Sequence, residues 1–411
     1  MNDLDAAKSL LSAHAVRSRA HRIFELGRAG DLEHFEIDLE KLSGAAERVA
    51  ALTRRQYPDL AVPFHARWRH IETGGHDRWG AIAAALDPED PRAYGRAAFD
   101  LAIVSVLLDA GAGADWTYYE AATGETMSRS EGLAVASVDM FRSGLFSGEP
   151  GDPFRADGAT LLTLDLDELA SGFQVSDTNP LVGLRGRCDL LHMLGETVIL
   201  RADIFGLEDD PRPGGLFDAL VAEATDDGKV SAEQILSLVL DGLGAIWPGR
   251  TELGGISLGD TWPCPAIKTD DPTNGLMPLH KLSQWLSYSL IEPLQWAGVE
   301  VVGIDGLTGL AEYRNGGLFI DAGVLKLKDP DAAARSHKPG DPLIVEWRAL
   351  TVALLDEIAA PVRSLLGVSD EDFPLARILE GGTWAAGREL ARERRPGGEP
   401  PLKIDSDGTV F

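Results

Sequence analysis

Apolar residues recur at helical spacing through the first 56 positions. Leu10, Leu11, Ala15 and Val16, then Leu39, Leu42, Ala45, Ala46 and Val49, are separated by polar residues, so this stretch predicts helices. A loop follows at Tyr57-Pro58-Asp59. Residues 92–109 and 131–145 again predict helices, the first so continuously apolar that it should be buried. Between 150 and 230 the pattern weakens. Pro150, Pro153, Pro180, Pro211 and Pro213 punctuate it, and Leu162-Thr163-Leu164-Asp165-Leu166 and Thr197-Val198-Ile199-Leu200 read as short strands, predicting irregular structure with a small sheet. A helix over 232–246 precedes a Gly/Pro-rich stretch from Pro248 to Pro278. Pro278 takes the first-turn position of a helix from Leu279 to Trp296, striped by Leu279, Leu282, Leu286, Leu290 and Leu294. Gly298 stops it, Val299–Ile304 has strand character, and Asp305-Gly306 signals a turn. Further helices are expected around 341–366 and from Thr383, placed as an N-cap after Gly381-Gly382. The expected fold is mainly α, or α+β with a small sheet. No low-complexity linker interrupts it, which predicts one domain with an N-terminal helical part (about 1–150), an irregular middle (about 151–230) and a C-terminal part (about 231–411).

Charge narrows the partners. With 65 acidic against 38 basic side chains the 411-residue chain carries a formal charge of −27. No basic stripe can dominate such a surface, so nucleic-acid backbone and anionic membrane are not expected partners. Cys188 and Cys264 provide neither a disulfide framework nor a four-cysteine zinc site. The opening Met1-Asn2-Asp3-Leu4-Asp5 lacks the basic and apolar regions of a signal peptide, and no 18-residue apolar run is present, so the expectation is a cytoplasmic protein.

Four stretches could carry chemistry. Arg67-Trp68-Arg69-His70 through His76-Asp77-Arg78 concentrates three arginines and two histidines around Gly74-Gly75, with Trp68 and Trp79 interleaved; guanidinium forks and free amides suit a phosphate or carboxylate, and the tryptophans suggest a pocket wall. Glu380-Gly381-Gly382-Thr383-Trp384, with Arg388 one turn on, is a weaker anion candidate at an expected helix start. On the helix from Pro278, His280, Gln284, Ser287 and Ile291 share one face, and Lys281, Trp285 and Tyr288 another. The fourth stretch runs from Asp305 to Gly317 and on to Asp321: Thr308 can cap a short helix that holds Glu312 one turn inside it, as a solvated carboxylate, and Arg314 near its end. The nine histidines lack metal-ligand spacing, and neither a phosphate-binding Gly-rich loop ending in Lys-Ser/Thr nor a Gly-x-Ser-x-Gly elbow is present, so neither metal nor cofactor is expected.

Taken together, Arg67-Trp68-Arg69-His70, Phe173 through Leu184, Leu279-His280-Lys281-Leu282-Ser283-Gln284-Trp285-Leu286, Leu307 through Gly317, Val345-Glu346-Trp347-Arg348-Ala349-Leu350, Glu380 through Trp384 and the terminal Ser406 through Phe411 resemble the uracil catabolism protein 4 family. The similarity spans essentially the whole chain. It departs at Asp260-Thr261-Trp262-Pro263-Cys264-Pro265, where the family is associated with a histidine. The resemblance implies a pathway in which uracil becomes a nucleotide, its ring is opened, and a ribosylurea-type intermediate releases urea by N-glycosidic hydrolysis. A more distant similarity is to the N-glycosidases that salvage queuine from queuosine 5′-phosphate. Their Lys-x-x-Gln-x-Leu is matched by Lys281 through Leu286, and their Leu-Thr-x-x-Ala-Asp-Tyr-Arg by Leu307 through Arg314, with Glu312 in place of aspartate. This second resemblance implies a core like that of helix-hairpin-helix DNA glycosylases, with lysine and a carboxylate around the sugar, and makes the C-terminal part the catalytic one.

Cleaving a C1′–N bond builds positive charge on the sugar, which a carboxylate at C1′ can stabilise, while a departing urea needs a proton or a hydrogen bond. The resemblance therefore assigns Glu312 to cleavage, Lys281 to tuning it or holding the sugar-phosphate, and Asp305 or Asp321 to a second carboxylate. Arg67, Arg69, His70 and Arg78 would hold the phosphate of a phosphorylated sugar-urea substrate, with His280, Gln284, Trp285, Tyr313 and Arg314 lining the site. Two rivals are an amidohydrolase acting on an acylated ureido intermediate and a non-catalytic partner that binds a nucleotide. The oligomeric state is open.

Overall fold

A computed structural model describes residues 2–87, 89–206, 211–247 and 251–405. The family-like terminal segment from Ser406 to Phe411, and Pro248, fall outside them. The chain is mainly α, and among the described residues every sheet is a two-stranded pair. The chain comprises two compact units, each built from separated stretches: Met1–His65, Gly249–Gln284 and Gly303–Phe411 in the first, Ala66–Pro248 and Trp285–Val302 in the second. The helix Lys281–Trp296 begins in the first and ends in the second.

The first unit is organised on the 25-residue helix Pro342–Leu366, opened by Pro342 where its missing N–H costs nothing and closed by Gly367 in the left-handed conformation. From Leu343 to Leu355 it is buried on every face, and the amphipathic helices Ala13–Ala29 and Leu42–Gln56 pack against it. Phe35–Ile37 pairs antiparallel with Leu325–Leu327, a strand the helical pattern of the first 56 residues concealed. Helix Tyr313–Asp321 lies against Trp384–Arg394 at a distance only glycine permits: a Cβ on Gly387 would sit 2.0 Å from the Arg314 carbonyl oxygen. Gly316 is likewise pressed on the Trp347 indole.

The second unit buries Pro91–Leu107 as its composition demands. The single acid of that helix, Asp100, is buried and held by Arg212 and the Gly214 amide. Arg129–Arg142 packs on it, and Lys229–Ser231 pairs in parallel with Glu300–Val302. The expectation of irregular structure over 151–230 fails. Gly158–Thr163, Leu166–Gly172, Leu184–Leu200 and Gly215–Ala222 are helices. The alternation Leu162–Leu166 straddles two of them, because Asp165 caps the second by accepting from the Asp167 amide. Thr197–Leu200 is the last turn of a helix, with Leu200 exposed.

Candidate active site

Three helix boundaries differ from the sequence reading, and two of them create the site. Pro278 ends a strand (Leu276–Pro278) paired with Thr261–Pro263, and His280 takes φ +47°, so the helix begins at Lys281. Glu312 is not inside a helix capped by Thr308: it is itself the N-cap of Tyr313–Asp321, in extended backbone geometry. Its Oε2 accepts from the Arg314 amide at 2.7 Å and its Oε1 from the Asn315 amide at 2.5 Å. Thr383 caps nothing. Leu379–Thr383 is a widened π turn continuous with Leu375–Ile378 before and Trp384–Arg394 after.

Glu312 is 8% exposed, far from the solvated carboxylate expected of it. Burial pushes its carboxyl above the ordinary glutamate value, and the push is opposed by the two backbone amides and by the charges of Lys281 and His65. The lysine expected beside the carboxylate is thus close enough for Glu312 to feel it. His65 was not expected. Its Nδ1 donates to Glu380 Oε2 at 2.7 Å, with the two side chains 15% and 17% exposed. Beside Glu312, Asn315 is fully buried, and its Oδ1 accepts from no group among the described residues.

The two motif segments are physically clasped. Gln284 Nε2 donates to Thr308 Oγ1 at 2.5 Å and Gln284 Oε1 accepts from the Thr308 amide at 2.9 Å. Gln284 is therefore a buried strut rather than a substrate ligand. A second tie runs through the loop whose role the sequence left in doubt. Asp260 pairs bidentately with Arg348 (2.8 and 2.7 Å) and accepts from the Lys281 amide (3.0 Å), while Arg348 Nε donates to the Ala311 carbonyl (3.3 Å). One buried ion pair thus holds the residue bearing the cation and the residue preceding Glu312.

Other assignments need correction. Asp305 pairs with Arg363 and accepts from the Leu375 amide. Asp321 pairs with Arg395 at the far end of the Glu312 helix, about 13 Å along its axis. Neither stands as the second carboxylate. His280 is buried with Nε2 on the Leu10 carbonyl, and burial lowers its pKa. Arg314 ties down the Gly398 carbonyl and covers the Tyr313 ring, whose backbone opens the helix. Gly381-Gly382 is no anion cradle: a Cβ on Gly382 would meet Val49 at 2.6 Å, so the glycines let the π turn press on Leu42–Gln56.

The arginine cluster belongs to the second unit and is largely committed. Arg78 and Glu120 form a buried bidentate pair, and Arg78 also binds the Ile71 and Thr73 carbonyls. Arg69 pairs with Glu72 and Glu292. Trp68 and Trp79 are buried and pack against each other and against the partly exposed Trp296. Arg67, His70 and Trp285 do cluster. Arg67 is fully buried, bonded to Asp109, Ser105 and His70, with its guanidinium 5.8 Å from the Trp285 ring. Burial works against the Arg67 charge and Asp109 supports it. Arg78→Met should accordingly lower stability by about 3 kcal/mol, because it strands a buried Glu120, and leave KM unchanged. Denaturant melts alongside kinetics check this, and a raised KM with intact stability would return Arg78 to the ligand site.

Among the described residues no three His, Cys, Asp or Glu side chains are grouped to hold a metal ion, and no helix is long and apolar enough to cross a membrane. Residues 9–411 match the model of the family described as Protein of unknown function (DUF1688). The chain is 37% identical over 436 residues to uracil catabolism protein 4 of Lachancea kluyveri, covering 97% of this chain and 98% of that one. It is 36% identical over 414 residues to Protein urg3 of Schizosaccharomyces pombe, covering 99% of each. With a matching family model over nearly its whole length and two full-length relatives, the chain belongs to the DUF1688 family.

Proposed function

We propose that this protein is an N-glycosidase of uracil catabolism that hydrolyses a ribosylurea, or its 5′-phosphate, to urea and the sugar. Involvement in uracil catabolism is supported by the name of the Lachancea kluyveri relative. The hydrolytic chemistry is supported chiefly by one observation: a buried carboxylate, Glu312, fixed by two backbone amides and favoured as the anion by the charge of Lys281. Each Glu312 oxygen spends one lone pair on an amide and keeps another for a ligand or a water. A carboxylate so held has little freedom to reorganise as positive charge develops at C1′, which is where electrostatic stabilisation is most effective. The sugar then takes a hydroxyl from water, and the C1′–N electron pair leaves with urea.

Incubating the purified protein with ribosylurea and with ribosylurea 5′-phosphate, and measuring free urea, tests this directly; no urea from either substrate overturns it. The pH profile tests the role of Glu312. If the anion is the active form, kcat/KM rises as pH climbs through the elevated range of its carboxyl. Lys281→Met removes a charge that favours the anion, so the acidic limb should move to higher pH. An unmoved limb would show that Lys281 acts on something other than Glu312, and a rate falling with pH over that range would make Glu312 an acid.

A further inference from the structure

A departing urea nitrogen needs a proton, and neither Asp305 nor Asp321 is free to supply one. Resting on the N-glycosidase reading, we propose that His65 is the catalytic acid that protonates the leaving nitrogen, and that Glu380 is the residue that positions it.

Geometry carries the assignment. Glu380 holds Nδ1, which fixes the ring and leaves Nε2 as the nitrogen that can exchange a proton with a ligand. Nε2 has no protein partner among the described residues, and the His65 side chain keeps 15% exposure. The helix that Glu312 caps, Tyr313–Asp321, contacts the π turn that carries Glu380, and the charge of His65 is felt at Glu312, which brings the two groups to one region of the first unit. The backbone is set for this pair from two sides. The His65 amide donates to the Ala376 carbonyl, just ahead of the π turn. Within that turn one additional residue per turn re-aims the side chains, and Glu380 is brought onto the imidazole.

The step balances without a cofactor. The imidazolium gives its Nε2 proton to the urea nitrogen as the C1′–N bond breaks, and the bonding pair goes to that nitrogen. Water adds to C1′ and gives up a proton on the Glu312 side, and solvent restores both groups. Sugar and urea are the only products.

The experiment measures urea release by His65→Ala, with and without added imidazole, beside wild type and Glu312→Gln. Loss of a general acid typically costs about 10²–10⁴-fold, so kcat should fall by about that factor with KM little changed, and imidazole should restore part of it. Glu312→Gln should stay inactive with imidazole. Glu380→Gln should lower kcat by a smaller factor than His65→Ala. Should His65→Ala fail to fold, His65→Gln, whose amide can still donate to Glu380, serves in its place and should show the same split of kcat from KM. Full activity in the His65 variants, or a loss that imidazole does not restore in a folded protein, overturns the assignment while leaving the N-glycosidase reading intact. An inactive wild type overturns that reading instead.

Discussion

Glu312→Gln should release urea about 10³-fold more slowly than wild type, with the fold retained. The substitution keeps shape and volume and removes only the negative charge. What remains is an amide with one acceptor facing two backbone donors, Arg314 N–H and Asn315 N–H. One of these loses its partner, and a weakened N-cap costs about 1 kcal/mol. A 10³-fold rate loss corresponds to about 4 kcal/mol of transition-state stabilisation, so the two effects separate when kinetics and melts are run on the same preparation. Glu312→Asp keeps the charge but draws it back by one methylene, and should fall between. Undiminished release by Glu312→Gln would leave the carboxylate a mere cap and assign the cleavage to other groups, whereas an inactive wild type would favour the non-catalytic rival.

A second signature comes from stability. Burial raises the Glu312 pKa in the folded state. A raised carboxyl contributes fully below the unfolded value and loses that contribution as pH rises through the folded value. Wild type should therefore lose stability relative to Glu312→Gln on going up through that range. The opposite trend would show that the amides and Lys281 outweigh burial.

Local periodicity made most of the helices legible: Pro342–Leu366, Pro91–Leu107 and Ala232–Leu243 fall where the apolar pattern and caps put them. The middle region misled because prolines there sit between helices rather than in place of them, and because the Leu162–Leu166 alternation spans a capped boundary. The family resemblance, not the residue pattern, pointed to Glu312 and Lys281, since both lie in short contiguous segments that match its motifs. The clasp between Gln284 and Thr308 joins those two segments directly. His65, Glu380, Asp260 and Arg348 were not legible as a site. Glu380 stood in a stretch read as an anion site, Arg348 in a family-like segment with no role attached, His65 lay two residues before a more conspicuous arginine cluster, and Asp260 lay in a loop that departs from the family. Each matters through a partner 80 or more positions away, and no local pattern encodes such a pairing. The arginine cluster misled for the converse reason: its charges are local in sequence, while the acids that neutralise them, Glu120 and Glu292, are distant.

Asp260→Asn should destabilise the protein by about 4 kcal/mol, within the range for breaking a buried ion pair from one side. Arg348 is 1% exposed and would keep its charge with half its acceptor gone, while the Asn amino group would face it. Arg348→Met should be comparably costly, and the double variant should cost clearly less than the sum, because the second change removes the charge the first one stranded. Acid melts offer an independent check. Burial alone would raise the Asp260 pKa, but the Arg348 charge and hydrogen bonds, the Lys281 amide and Trp262 together hold it below the ordinary aspartate value. A depressed carboxyl contributes stability above its unfolded value and loses it as pH falls through the folded one, so wild type should lose its advantage over Asp260→Asn in that acidic window. Activity is expected to fail too, even where the variant is still folded. Asp260 holds the Lys281 amide and Arg348 holds the Ala311 carbonyl, so the same substitution loosens both segments that bring Lys281 and Glu312 together. A variant that loses stability but keeps kcat would make the pair a scaffold only. Loss of both, with Lys281 no longer shifting the acidic limb, would show that this buried pair sets the geometry of the site.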